Sequence, residues 1–274
     1  MSTGTYPAFS MGPAILFCPA DRPERYAKAA ARADAVIIDL EDAVAPADKP
    51  AARKAMADSA LDPERTIIRL NPVSTDDFAA DLEAVRQSPY TTVMLAKTEY
   101  VEQLRELEGY SVIALCETAL GVLNAGAIAA EGNVVALMWG AEDLVASLGG
   151  TSSRHADGSY RGVAVHARAS VLLAAGAHGK AGIDSVYIDI PDTEGLAAES
   201  RDAVASGFAA KASIHPAQMP VIRTAYAPDP AEVERARAIL EAARTAHGVF
   251  SFEGQMVDEP LLRHARRLVA RAGE

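Results

Sequence analysis

Eight short apolar runs, each followed by an alanine-rich segment of helical character, constrain this chain more than any other feature. The runs are Ala14–Pro19, Ala35–Glu41, Thr66–Asn71 and Thr92–Lys97, then Ser111–Glu117, Val134–Gly140, Asp184–Ile190 and Ala210–Pro216. Most are near-continuous Val/Ile/Leu stretches rather than strict alternations, the pattern of parallel strands covered by helices. Eight strand–helix units within 274 residues predict an α/β chain closed as a TIM (β/α)8 barrel in preference to an open doubly wound sheet. The glycine fingerprints of nucleotide-binding open sheets are missing. No run leads into G-x-G-x-x-G, and Gly179-Lys180 is followed by Ala181, so it is no phosphate loop.

Helix signals fill the intervals. Pro23-Glu24-Arg25 opens one helix, and Ser74-Thr75-Asp76-Asp77 resembles a cap before Phe78–Gln87. The widest interval, between the sixth and seventh runs, holds a Gly/Ser/Thr-rich loop, Gly149–Gly162, and a long helix, Val163–Gly179. Beyond the eighth run, Pro228-Asp229-Pro230 opens an amphipathic helix over Ala231–Ala246. Gly248 and Gly254 then precede a final helix over Pro260–Ala272. The predicted organisation is a barrel domain at 1–227 and a C-terminal helical appendage at 228–274.

Charge narrows the partners. Lys and Arg number 26 against 37 Asp and Glu, a formal net charge of −11, which argues against nucleic acid or an anionic membrane. Cys18 and Cys116 each lie in an apolar run, as buried thiols in a reducing compartment do. No signal peptide is visible, and no apolar stretch approaches the roughly 18–20 residues of a membrane span. The sequence predicts a soluble, cytoplasmic protein.

Polar residues end nearly every apolar run: Glu41-Asp42, Arg69 with Asn71, Lys97, Glu117, Glu142-Asp143, Asp189 with Asp192, and His215. In a barrel these exits converge on the C-terminal mouth, where enzymes of this architecture keep their chemistry. Glu117 and Asp143 leave neighbouring strands, and two such carboxylates suit a hard divalent ion that completes its shell with water and substrate oxygens. The competing reading is that both cap helices. Zinc is disfavoured, since neither H-E-x-x-H nor a Cys/His cluster occurs. Arg69, inside an apolar run, requires a bidentate anion, either a structural carboxylate or a substrate one. Lys97 reads as a mouth lysine paired with a carboxylate rather than a Schiff-base lysine. His215 reads as a hydrogen-bonded structural histidine rather than a base.

These same segments resemble the citrate lyase β-subunit-like group of the HpcH/HpaI aldolase/citrate lyase family. The matching stretches are Leu16–Glu24, Asp39–Arg53, Ile68–Pro72, Cys116–Ala125, Trp139–Ser153, Gly182–Asp189, Ser213–Met219 and Phe252–Leu262, in family order along almost the whole chain. Leu95–Glu99 reads LAKTE where the family usually has L-P-K-V-E. The resemblance implies a TIM barrel, assembled as a homotrimer, that binds Mg²⁺ and a coenzyme A thioester. It implies Glu117 and Asp143 as metal ligands, with Glu41 and Asp42 beside the metal. Arg69 would hold the carboxylate of the keto-acid half. Asp258 would lie on a lid reaching a neighbouring subunit's site and act in proton transfer. Arg25, Lys28, Lys49 and Arg53 would contact coenzyme A.

The activity so implied is Mg²⁺-dependent carbon–carbon cleavage of a 3-hydroxy-acid thioester of the citramalyl-, malyl-, citryl- or 3-hydroxy-3-methylglutaryl-CoA type. Products would be acetyl-CoA or a close relative and a keto or keto-acid fragment. Two alternatives stay open: a malate-synthase-like condensing enzyme that hydrolyses the thioester, and a citrate lyase subunit acting on a carrier protein's thioester.

Overall fold

A computed structural model of the chain describes residues 6–246 and 248–273, which fall into two compact units dividing between Ala225 and Tyr226. The first unit alternates strands and helices: β1 (Ala14–Pro19), α1 (Tyr26–Arg32), β2 (Ala35–Asp39), α2 (Lys49–Ala57), β3 (Thr66–Leu70), α3 (Asp77–Arg86), β4 (Thr92–Leu95) and α4 (Val101–Arg105). It continues with β5 (Ser111–Cys116), α5 (Ala119–Ala130), β6 (Val134–Trp139), α6 (Ala141–Ser147), α7 (Gly162–Ala177), β7 (Ala181–Asp184), α8 (Thr193–Ser206), β8 (Ala210–Ser213) and α9 (Met219–Tyr226). The eight strands are parallel and closed, β8 returning to β1 with Leu16 opposite Ser213. The barrel expected from the eight runs is the fold.

Strand side chains alternate between the barrel interior and the helical layer. The inward positions of all eight strands meet in one buried cluster that includes Ile15, Ile37, Ile67, Met94, Leu115, Met138, Ile183 and Ala212. Burial of each large aliphatic contributes roughly 1.5–3 kcal/mol, so this plug is what closes the sheet. One inward step beyond Ile15, Ile37, Ile67, Leu115 and Met138 come Phe17, Asp39, Arg69, Glu117 and Gly140. Polar chemistry therefore begins one layer above the apolar plug.

The seventh strand departs from the sequence reading. The run Asp184–Ile190 has the pattern of a strand, yet the ladder spans Ala181–Asp184 and ends with Asp184 opposite Lys211. Beyond it the chain leaves the sheet: Ile188 and Ile190 are exposed, and Tyr187 turns its hydroxyl to Asp192 at 2.5 Å. Gly182 hides the strand from a propensity reading. A Cβ there would come within 2.8 Å of the Leu172 side chain, so the position trades β-propensity for close approach of α7.

The second unit consists of α10 (Pro230–Ala243), a hairpin of β9 (Phe250–Phe252) and β10 (Gln255–Val257), and α11 (Glu259–Arg271). Its core is Val233 and Ala236 of α10 against Ala265 and Leu268 of α11. Glu253 and Gly254 both have positive φ, 49° and 79°, the signature of a two-residue type I′ hairpin turn. Asp258 caps α11, its Oδ1 accepting the Leu261 N–H at 3.1 Å.

Candidate active site

Arg69 is the organising cation of the ionic layer. It lies opposite Asp39 in the β2–β3 register, so its Nε and Nη2 donate to the two Asp39 oxygens at 2.7 Å each. Nη1 sits 2.7 Å from Glu41 Oε2, and the guanidinium lies over the Phe17 ring, 5.0 Å from its centroid. Burial alone would lower the Arg69 pKa, but Asp39 and then Glu41 outweigh it and push the value up. Asp39 is thus the bidentate partner that a buried arginine demands. Asp39 is the only charge in the second run before its exit, but its pairing with Arg69 rests on a strand register that only the closed sheet defines.

Glu117 follows β5 directly and is buried. Its Oε1 accepts the backbone N–H of Lys97 at 3.1 Å. Its flank rests on Gly140, where a Cβ would stand 2.8 Å from Oε2 and 2.9 Å from the glutamate's own Cβ. Only glycine admits this approach. Burial first, and the Asp143 carboxylate second, push the Glu117 pKa up to about 8. Asp143 occupies the first turn of α6, where the helix dipole favours a carboxylate. Both face Lys97 Nζ, Asp143 at 3.2 Å and Glu117 at 4.0 Å. Lys97 also contacts Glu41 and lies 3.4 Å from Asp42, so it is a mouth lysine held by carboxylates.

The structure thus gathers Arg69, Glu41, Asp42, Glu117 and Asp143 around Lys97. Five carboxylates, counting Asp39, meet two cations, and that negative surplus fits a divalent cation. Among the described residues no three His, Cys, Asp or Glu side chains form a preformed metal cage. A cation held by Glu117 and Asp143 would take its remaining ligands from water or substrate, as a hard ion such as Mg²⁺ does.

Lys49 and Arg53 are engaged inside the chain. Lys49 Nζ donates to the carbonyls of Leu40 and Glu41 at 3.0 and 3.3 Å and to Asn71 Oδ1. Arg53 binds Asp81 at 2.7 Å and also Asp77, and Asp81 in turn receives the Asn71 N–H and amide. This buried lattice fixes the turn that carries Glu41 and Asp42. Arg25 and Lys28 are exposed, with Arg25 only 3.8 Å from Glu24. His215 caps a short 3-10 turn, its Nδ1 accepting the Ala217 N–H at 3.2 Å. Asp258 belongs to the second unit.

A second ionic cluster, on the outer face of β6–β8, escaped the sequence reading. Asp184 and Lys211 are fully buried and 3.0 Å apart. Arg168 of α7 and the Trp139 indole N–H complete the shell of Asp184 at 2.9 and 2.8 Å. Glu199 of α8 binds Lys211 and also Arg154, both at 2.8 Å. Arg154 lies over the Tyr160 and Tyr187 rings at 3.7 and 4.9 Å, clamping the Gly149–Gly162 loop to the barrel. Next to it, Ser153 Oγ donates to Glu142 at 2.6 Å, beside Asp143. Lys211 inside the short run AKAS was the missed signal, because an interior strand lysine needs anionic partners.

With this geometry in place, comparison with known proteins finds a clear kinship. The profile of the HpcH/HpaI aldolase/citrate lyase family matches residues 14–216. The citrate lyase subunit beta-like protein of Mycobacterium tuberculosis H37Rv is 57% identical over 263 residues, 96% of each chain. The mitochondrial citramalyl-CoA lyase of Homo sapiens is 32% identical, over 94% of this chain and 85% of its own. The crystal structure of M. tuberculosis CitE with magnesium, acetoacetate and coenzyme A superposes with a TM-score of 0.91 at 57% identity, covering 97% of this chain and 99% of that one.

Proposed function

This chain belongs to the HpcH/HpaI aldolase/citrate lyase family, and we propose that it is a Mg²⁺-dependent carbon–carbon lyase acting on a 3-hydroxy-acid thioester of coenzyme A. The observation that carries this reading is the ionic layer itself: Glu117 and Asp143 face one point beside a buried, fully ionised Arg69. The similar crystal structure with magnesium, acetoacetate and coenzyme A and the citramalyl-CoA lyase relative support it.

A divalent ion held by Glu117 and Asp143 would supply Lewis acidity, easing passage of the substrate hydroxyl proton to water and stabilising the negative charge that this oxygen carries until it becomes the carbonyl of the keto product. Arg69 orients the free carboxylate of the keto-acid half, so that the scissile bond is presented in one geometry. Asp39 and Glu41 keep the guanidinium from turning. When the bond breaks, its electron pair passes to the thioester fragment as an enolate, whose carbon must take up a proton. Asp258 is the assigned donor, and in the condensing direction the base. The barrel at 1–227 would provide the site and the segment at 228–274 the lid, in a homotrimer whose lids close neighbouring mouths. Arg25 and Lys28, exposed on the first β/α segment, are the cations assigned to coenzyme A phosphates. Lys49 and Arg53 instead brace the Glu41–Asp42 turn.

The test is a coupled assay of the purified protein with Mg²⁺ against citramalyl-, malyl-, citryl- and 3-hydroxy-3-methylglutaryl-CoA. Release of acetyl-CoA with a keto product, abolished by chelator and by Glu117→Ala or Asp143→Ala, is the expected result. Hydrolysis without C–C cleavage, net condensation, or turnover restricted to a carrier-protein thioester would replace the lyase reading.

A further inference from the structure

Lys97 stands where the carboxylates of the mouth converge, and it does so from an uncommon backbone. Its φ is +50°, in the left-handed region that a lysine enters only when its surroundings over-determine it. That conformation has two effects. The backbone N–H is aimed at Glu117 Oε1, 3.1 Å away, and the side chain turns back across the mouth. Nζ contacts Glu41 and lies 3.2 Å from Asp143, 3.4 Å from Asp42 and 4.0 Å from Glu117. An ammonium has three N–H donors, so Glu41, Asp42 and Asp143 can take them, while Glu117 keeps the backbone bond. The other cation of the layer, Arg69, is locked on Asp39 and Glu41.

Resting on the reading that Glu117 and Asp143 hold a divalent cation, we propose that Lys97 sets the affinity of that site by competing with the cation for the two carboxylates. A divalent ion bound there meets a full positive charge within a few ångströms of both ligands, and Coulomb repulsion at that range is strong in a partly buried mouth. The ammonium can withdraw without becoming an unpaired charge, because Glu41 and Asp42 remain as its counter-ions. This gives that carboxylate pair a role: it is the seat to which the lysine retreats. Metal affinity stays modest in the free protein and rises once substrate oxygens join the shell.

The proposal is tested by titrating the metal-stripped full chain with MgCl₂ by calorimetry, and with MnCl₂ while free Mn²⁺ is counted by electron paramagnetic resonance. Lys97→Met and Lys97→Gln, both neutral and similar in length, should bind either ion at least tenfold more tightly than wild type. Lys97→Arg, which keeps the charge, should stay near wild type, and adding Glu117→Gln to Lys97→Met should remove the gain. Unchanged or weaker binding by both neutral variants, with native circular dichroism and an intact wild-type site, overturns the role of Lys97 alone. Binding in wild type that ignores Glu117→Gln and Asp143→Asn overturns the metal site, and this inference with it.

Discussion

At the scale of single residues, the site exacts stability from the fold. Glu117 ordinarily ionises near 4.5 but is pushed up to about 8 by burial and then by Asp143. Between pH 4.5 and about 8 the unfolded chain is ionised at this position while the folded, metal-free chain stays protonated. Stability is therefore lost as pH rises from 4.5, and the loss is complete above about 8. Each pH unit between those two values costs roughly 1.4 kcal/mol, which puts the ceiling on the order of 5 kcal/mol. Glu117→Gln should accordingly melt higher than wild type in chelator at pH 8, with the gap closing toward pH 4.5, while turnover disappears. Equal melting temperatures at both pH values would show that Glu117 carries no such burden. Arg69→Lys tests the guanidinium: a point charge cannot grip both Asp39 oxygens and still orient a carboxylate. A fall in kcat/KM of at least a hundredfold is expected, and an unchanged value would make Arg69 structural. The need for a bidentate anion was legible from Arg69 in an apolar run. That the anion is Asp39 was not, because pairing across strands depends on register, which only the closed sheet defines.

At the scale of elements, seven strand runs begin where periodicity put them and end up to three residues early, since side-chain pattern does not say where ladder bonds stop. The seventh run slid because its true strand contains Gly182, and the apolar stretch after it belongs to a turn anchored by Tyr187 on Asp192. The same strand carries a sharp prediction. Burial would raise the Asp184 pKa, but Lys211, Arg168 and the Trp139 N–H overcome it and hold the carboxyl below its ordinary 3.8. A depressed carboxylate contributes stability above its unfolded pKa and loses it as pH falls through the folded value. Asp184→Asn leaves two cations short of their shared anion and should lose about 3–5 kcal/mol in urea unfolding at pH 7. Acidification below pH 3.8 should then weaken the variant less than wild type. Parallel losses in both proteins would mean that Asp184 is not ionised in the fold.

At the scale of the whole molecule, the proposed shared site predicts complementation. Chains bearing Asp258→Ala and chains bearing Arg69→Ala should each be inactive. Hetero-oligomers assembled from both should regain partial turnover, because some sites would unite an intact mouth with an intact lid. Verified mixed oligomers that remain dead, or an Asp258→Ala protein that works alone, would reduce Asp258 to the helix cap seen at Leu261, worth about 1 kcal/mol. The layering of the barrel interior reaches further still. Ile37, Ile67, Leu115 and their neighbours hold the sheet shut, while the ion-paired layer proposed to bind metal and substrate sits one step above them. Inheritance can therefore act on the two tiers separately. Under the proposed function, a lineage built on this plan can change what the rim binds without touching the tier that closes the sheet.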